Sequence, residues 1–128
     1  MSDLVLVDTS AWTRALRRNG DPAVKARVGE LLARESAAWC EIIRLELWNG
    51  VRGPRERSEL AQMEKGIRRL SITADVWDLA CSYASKARSS GLNVPVTDLV
   101  IFACAKVHHA VIEHVDKHFD LLKSLDPI

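Results

Sequence analysis

Leu4-Val5-Leu6-Val7-Asp8-Thr9-Ser10 is the stretch on which the fold turns. Its four aliphatic residues, two of them β-branched, read as a short strand buried on both faces, as in a parallel sheet. The run stops at Asp8. Thr9 or Ser10 can then cap a helix over about residues 11–18, which Asn19-Gly20 ends.

Working outward, Asp21-Pro22 starts a second helix, with Asp as cap and Pro at the first helical position, running to about Glu35. A short apolar piece at 37–40 suits a second strand and leads into a helix over 41–49 that Gly50 closes. Gly53-Pro54 breaks the chain before a polar helix over about 55–69, and 70–73 offers a further short strand. Val76, Leu79, Ala80, Tyr83, Ala84 and Ala87 give helical period to 75–90, ended by Gly91. After Pro95, Thr97 is placed to cap a helix over 98–108; a last strand at 110–112 and a last helix at 117–125 follow. Helices interleaved with short buried strands imply an α/β layered domain with a central, mostly parallel sheet flanked by helices. No repeat or linker divides the chain, so residues 1–128 read as one domain.

Composition narrows the class. With 48% hydrophobic residues the chain can build a packed core, which excludes a disordered protein. Its 18 basic and 17 acidic side chains leave a net charge of +1, so any basic surface for a polyanion must be local. The N-terminal apolar run is too short for a signal peptide or membrane span. The three cysteines include no CxxC pair and read as reduced thiols. A cytoplasmic protein without membrane association is the expectation.

Four acids stand out. Ligands of parallel sheets bind beyond the carboxyl ends of the strands. Asp8 directly follows the first strand, and Asp116 lies just beyond the last. Glu46 shares a helix face with Ile42, Ile43, Asn49 and Gly50, and Asp98 one with Ile101, Phe102 and Ala105. Acids on apolar stripes point inward, and burying several carboxylates together drives them toward protonation unless a cation offsets the charge. No Lys or Arg shares the face of Asp8 or Asp98. Clustered hard oxygen ligands suit Mg²⁺ or Mn²⁺, which can deprotonate an attacking water and neutralise charge on phosphate oxygens. Taken singly, Asp8 reads equally as a helix cap and Asp98 as an acid favoured by the helix dipole. A lone loop acid such as Asp116 usually has no chemical role. Only the set of four carries weight.

Val7-Asp8-Thr9-Ser10, Glu46-Leu47-Trp48-Asn49-Gly50, Thr97-Asp98 with the Ala-rich helix after it, and Val115-Asp116-Lys117-His118-Phe119 together resemble the motifs of the PIN-domain ribonucleases. The gaps between the acids, 38 (46 − 8), 52 (98 − 46) and 18 (116 − 98), suit a compact member. A lone PIN domain of this length resembles the VapC-type toxins of toxin–antitoxin pairs. That resemblance implies a PIN-like three-layer fold and Mg²⁺-dependent endonucleolytic cleavage of structured RNA. It also implies a homodimer restrained by a cognate antitoxin. Asp8 and Asp98 would be the main metal ligands, Glu46 and Asp116 would complete the pocket, and Ser10 would orient a ligand or water. His114 departs from the pattern, standing where the family usually has Thr or Ser. Arg44 projects from a different face than Glu46.

Other features have plainer readings. Arg14, Arg17 and Arg18 are placed to grip RNA phosphates beside the pocket, although a solvated face is the default for such a run, as for Arg52, Arg55 and Arg57. His114 with His118, and Cys104 with His108, lie four apart but in no zinc-binding frame, and read as packing or surface residues. Trp12, Trp39, Trp48 and Trp77 read as core or interface anchors. Partner contacts are expected on residues 11–16 and the helices up to about 70. Two rivals to a ribonuclease remain: an aspartyl-phosphate-type phosphatase, which normally wants a second Asp where Ser10 stands, and a catalytically weak PIN-like acidic-groove binding module.

Overall fold

Burial of the aliphatic stretch organises the whole chain around one short strand. The computed structural model describes residues 3–126. In chain order the elements are β1 (Val5–Val7), α1 (Thr9–Leu16), α2 (Pro22–Ala33), β2 (Ala37–Trp39), α3 (Glu41–Gly50), α4 (Gly53–Glu64), β3 (Arg68–Arg69), α5 (Ala74–Ser89), α6 (Val96–Val107), β4 (Val111–Glu113) and α7 (Lys117–Leu125). The strands form a sheet in the order β3-β2-β1-β4, with every pairing parallel. The fold is α/β, a four-stranded parallel sheet flanked by helices, as the sequence implies.

β1 is interior to the sheet, with Leu6 opposite both Ala38 and Ile112. From β1 the chain runs to β2 on one side and returns later to β4 on the other. Strand order therefore reverses at β1, and such a switch point opens a crevice at the carboxyl ends of the strands. Trp12 and Trp39 meet edge to face in the core, ring centroids 6.2 Å apart, and both are fully buried. Beyond its first two residues α6 is buried without a break from Asp98 to Ala105, which makes it the central helix of the core.

Several boundaries differ from the sequence reading, and three of the differences have a clear physical reason. Asp8, not Thr9 or Ser10, caps α1, its side chain accepting from the Ser10 N–H. α6 begins at Val96 with Pro95 as its cap residue, because the Pro95 carbonyl accepts from the N–H groups of Asp98 and Leu99; Thr97 lies inside the first turn. The polar helix ends at Glu64, and the following strand is Arg68–Arg69, not 70–73. Pairing of Ala38 and Trp39 with these arginines sets that register, anchored by buried Ile67 and Leu70 on either side. Of the four tryptophans, Trp77 is half exposed and anchors no core.

Gly20 turns the chain from α1 into α2. A Cβ built there would lie 1.7 Å from the Arg14 carbonyl oxygen, a backbone atom that cannot step aside. Gly20→Ala is therefore expected to destabilise the protein by about 2 kcal/mol or more, read from urea denaturation.

Candidate active site

Each of the four acids is delivered by a different piece of local structure. Asp8 ends β1 and caps α1: its Oδ2 accepts from the Ser10 N–H at 3.0 Å and from the Ser10 hydroxyl at 2.6 Å. Asp116 caps α7, its Oδ1 accepting from the His118 N–H at 2.9 Å. Asp98 sits in the first turn of α6 and is 7% exposed. Three of the acids thus stand at helix N-termini, whose partial positive charge favours carboxylates. Glu46 comes from the middle of α3, where the Thr9 hydroxyl donates to its Oε1 at 2.6 Å.

The acids converge. Burial pushes the Asp98 carboxyl up to about 7, and the negative charges of Asp116, Asp8 and Glu46 push the same way. Burial also acts to raise Asp116, but the His118 N–H, the Asp98 carboxyl and the His118 ring outweigh it and hold Asp116 below its ordinary value. Of this pair, Asp98 is therefore the carboxyl that more readily holds a proton. Asp98 Oδ2 is buried with no hydrogen-bond partner. A buried carboxylate oxygen without a donor is costly, and a divalent cation is the ligand that such an oxygen-rich set fits.

Ser10 ties the site together. While donating to Asp8, its hydroxyl accepts from the Val115 N–H at 3.1 Å, so the ends of β1 and β4 are held in register around the pocket. His114, at the departing position, accepts from the Asp116 N–H through Nδ1 at 3.2 Å and packs on the Phe119 ring. A hydrogen bond to the Asp116 backbone is thereby kept. Arg44 faces away from Glu46, bonded to Glu64 and Glu41. Cys104 is buried, and His108 bonds to the Ser71 carbonyl, a packing role as expected.

Residues 5–125 match the family model described as the PIN domain. The chain belongs to the PIN domain family. This PIN domain is similar to the VapC ribonuclease Mb1587 of Mycobacterium bovis, 32% identical over 93% of this chain and 91% of the relative, which sets it among the VapC ribonucleases. Among solved structures it resembles a chain of VapBC2 from Rickettsia felis bound to a promoter DNA fragment, with a TM-score of 0.80, 16% identity and coverage of 93% and 92% of the two chains. It also resembles VapC20 of Mycobacterium tuberculosis, described as a sarcin–ricin loop cleaving toxin, with a TM-score of 0.68, 22% identity and coverage of 91% and 93%. Among the described residues no helix is long and apolar enough to cross a membrane.

His118 corrects the sequence reading. Read as a packing or surface residue, it lies inside the pocket, with Nδ1 2.8 Å from Asp116 Oδ1 and 3.4 Å from Asp98 Oδ2. The available signal was its place two residues after a capping Asp: the cap bond to the His118 N–H brings the two side chains together. Thr9 was also missed, because its partner Glu46 is 37 residues away and no local pattern links them. Of the arginines expected to grip RNA, Arg17 is drawn toward Glu56 at 3.9 Å, whereas Arg14 and Arg18 are exposed.

Proposed function

We propose that this VapC-type PIN domain is a divalent-metal-dependent endoribonuclease, the toxin of a type II toxin–antitoxin pair, with its chemistry centred on Asp98. The observation that carries this reading is the buried Asp98 Oδ2, which accepts no hydrogen bond, clustered with three further acids. Asp8 and Asp98 act as the principal metal ligands, Glu46 and Asp116 complete the pocket, and Ser10 positions Asp8. Mg²⁺, with Mn²⁺ as substitute, supplies when bound the positive charge that steadies phosphate oxygens and acidifies a water. Thr9 fixes the Glu46 carboxylate, and the helix N-termini of α1, α6 and α7 soften the repulsion among the acids.

The sarcin–ricin loop target of the related toxin supports a structured RNA substrate, which would be met in the cytoplasm. Exposed Arg14 and Arg18, with Arg17, are the side chains offered to its phosphates. The VapBC likeness supports a cognate antitoxin as partner, and the resemblance to VapC toxins supports a homodimer. Aspartyl-phosphate chemistry is disfavoured because the hydroxyl two residues beyond Asp8 is bonded to Asp8 itself.

The test is cleavage of total RNA by antitoxin-free protein with Mg²⁺ or Mn²⁺ and with EDTA. Endonucleolytic products that vanish with EDTA support the reading; the absence of products with either metal leaves an acidic-groove binding module in its place. A finer expectation concerns Ser10→Ala. Losing the bridge between Asp8 and the Val115 N–H should weaken Mg²⁺ binding on the order of tenfold, read by calorimetric titration. The accompanying loss of stability should be about 1 kcal/mol.

A further inference from the structure

Beside its acids the pocket holds a nitrogen donor. The described residues bring Asp98, Asp116 and His118 together so that one ligand atom from each lies within 4.8 Å of the others. His118 Nδ1 is 2.8 Å from Asp116 Oδ1 and 3.4 Å from Asp98 Oδ2. At 2.8 Å the ring nitrogen is hydrogen-bonded to Asp116 Oδ1, so it would ligate a metal as neutral imidazole, the ion replacing the shared proton. Asp98 Oδ2, the atom nearest His118 on that side, is the buried oxygen with no hydrogen-bond partner. The ring is fixed by the first turn of α7, since the Asp116 carboxylate takes both the His118 N–H and the ring contact.

We propose that His118 is a direct nitrogen ligand of the metal and biases the pocket toward Mn²⁺ over Mg²⁺. The proposal rests on the metal-site reading above and adds to it a ligand and a preference. Mg²⁺ takes almost only hard oxygen donors and dehydrates reluctantly, whereas later divalent ions accept imidazole readily. An all-oxygen set would leave the choice between Mg²⁺ and Mn²⁺ to size and charge. An imidazole among the ligands moves it toward the softer ion. His118→Asn places an amide of similar reach at the Nδ1 position, trading the nitrogen donor for a hard carbonyl oxygen.

The experiment uses the full chain and the two metals alone. Calorimetric titration with Mn²⁺ and Mg²⁺ gives the affinity ratio, and pulsed electron paramagnetic resonance of the Mn²⁺-loaded protein reads nitrogen coupling from a bound imidazole. Wild type is expected to show that coupling. His118→Asn should lose it and lower the Mn²⁺ to Mg²⁺ affinity ratio by on the order of tenfold. His114→Asn should keep the coupling. Mn²⁺ binding that requires Asp98 but carries no nitrogen coupling in wild type overturns the role of His118 and leaves the metal site standing. Coupling or an affinity ratio that survives His118→Asn overturns it equally. Should that variant fail to fold, the wild-type and His114→Asn spectra decide. No Mn²⁺ binding to wild type, or binding indifferent to Asp98→Asn, overturns the metal-site reading itself.

Discussion

Asp98→Asn is expected to eliminate RNA cleavage and, at the same time, to make the metal-free protein more stable at pH 8. The two effects share one cause. Asp98 is 7% exposed, and its carboxyl is pushed up to about 7 by burial and by Asp116, Asp8 and Glu46. The unfolded chain ionises Asp98 near the ordinary 3.8, so between about pH 4 and pH 7 the folded state holds a proton that the unfolded state has lost. The stability this proton contributes is full below about pH 4 and is gone once pH rises through about 7. At pH 8 the metal-free wild type carries a buried, repelled negative charge. Asparagine keeps the shape, removes the charge and offers an N–H to Asp116.

A gain of about 1–3 kcal/mol is therefore expected in EDTA at pH 8, shrinking below pH 6, measured by thermal melting. Mg²⁺ should raise the melting temperature of wild type strongly at pH 8 and weakly at pH 5.5, and that of Asp98→Asn at neither. Losing a metal ligand worth several kcal/mol to the transition state corresponds to roughly a thousandfold or greater fall in cleavage rate. A variant that is destabilised in EDTA at pH 8 and still cuts RNA would show that Asp98 is a structural acid.

Phe102→Ala is expected to cause a loss of stability among the largest that a single truncation of this core produces. Phe102 is fully buried on α6, one turn beyond Asp98, with its ring edge to face against Tyr83 at a centroid separation of 5.0 Å. Removing such a ring from a packed core costs about 3–5 kcal/mol, a large part of the ~5–15 kcal/mol that holds a typical domain folded. Urea denaturation should show the midpoint fall steeply. Leu45→Ala, at a position 70% exposed on α3, should stay within about 0.5 kcal/mol of wild type. Because Phe102 braces the helix that presents Asp98, Mg²⁺ affinity should also weaken in any Phe102→Ala protein that remains folded.

Much of the site was legible because its acids violate the local pattern. Asp8 interrupts an aliphatic run, and Glu46 and Asp98 sit on apolar helix stripes, so cost alone marks them. The helix caps were less legible: Asp8, Thr9 and Ser10 are all good cap residues, and only the backbone at the end of β1 selects Asp8. The same limit explains α4 and β3, where a polar segment with weak periodicity takes its boundary from strand pairing. Basic residues were least legible of all. Charge at 14, 17 and 18 is visible, but the pull of Glu56 on Arg17 is not.

The sequence by itself determined the class of fold and singled out four acids, Glu46 and Asp98 by charge on apolar helix stripes, Asp8 and Asp116 by their places beyond strand ends. Tertiary structure alone decided which atoms meet. Thr9 reaches Glu46 across 37 residues because β1 pairs with β2 and α1 packs on α3, Ser10 reaches Val115 across 105 because β1 pairs with β4, and His118 lies against Asp98 where α7 packs on α6. Contacts of that range depend on strand order, which no local pattern encodes. They turn four separate acids into one pocket with a nitrogen at its edge.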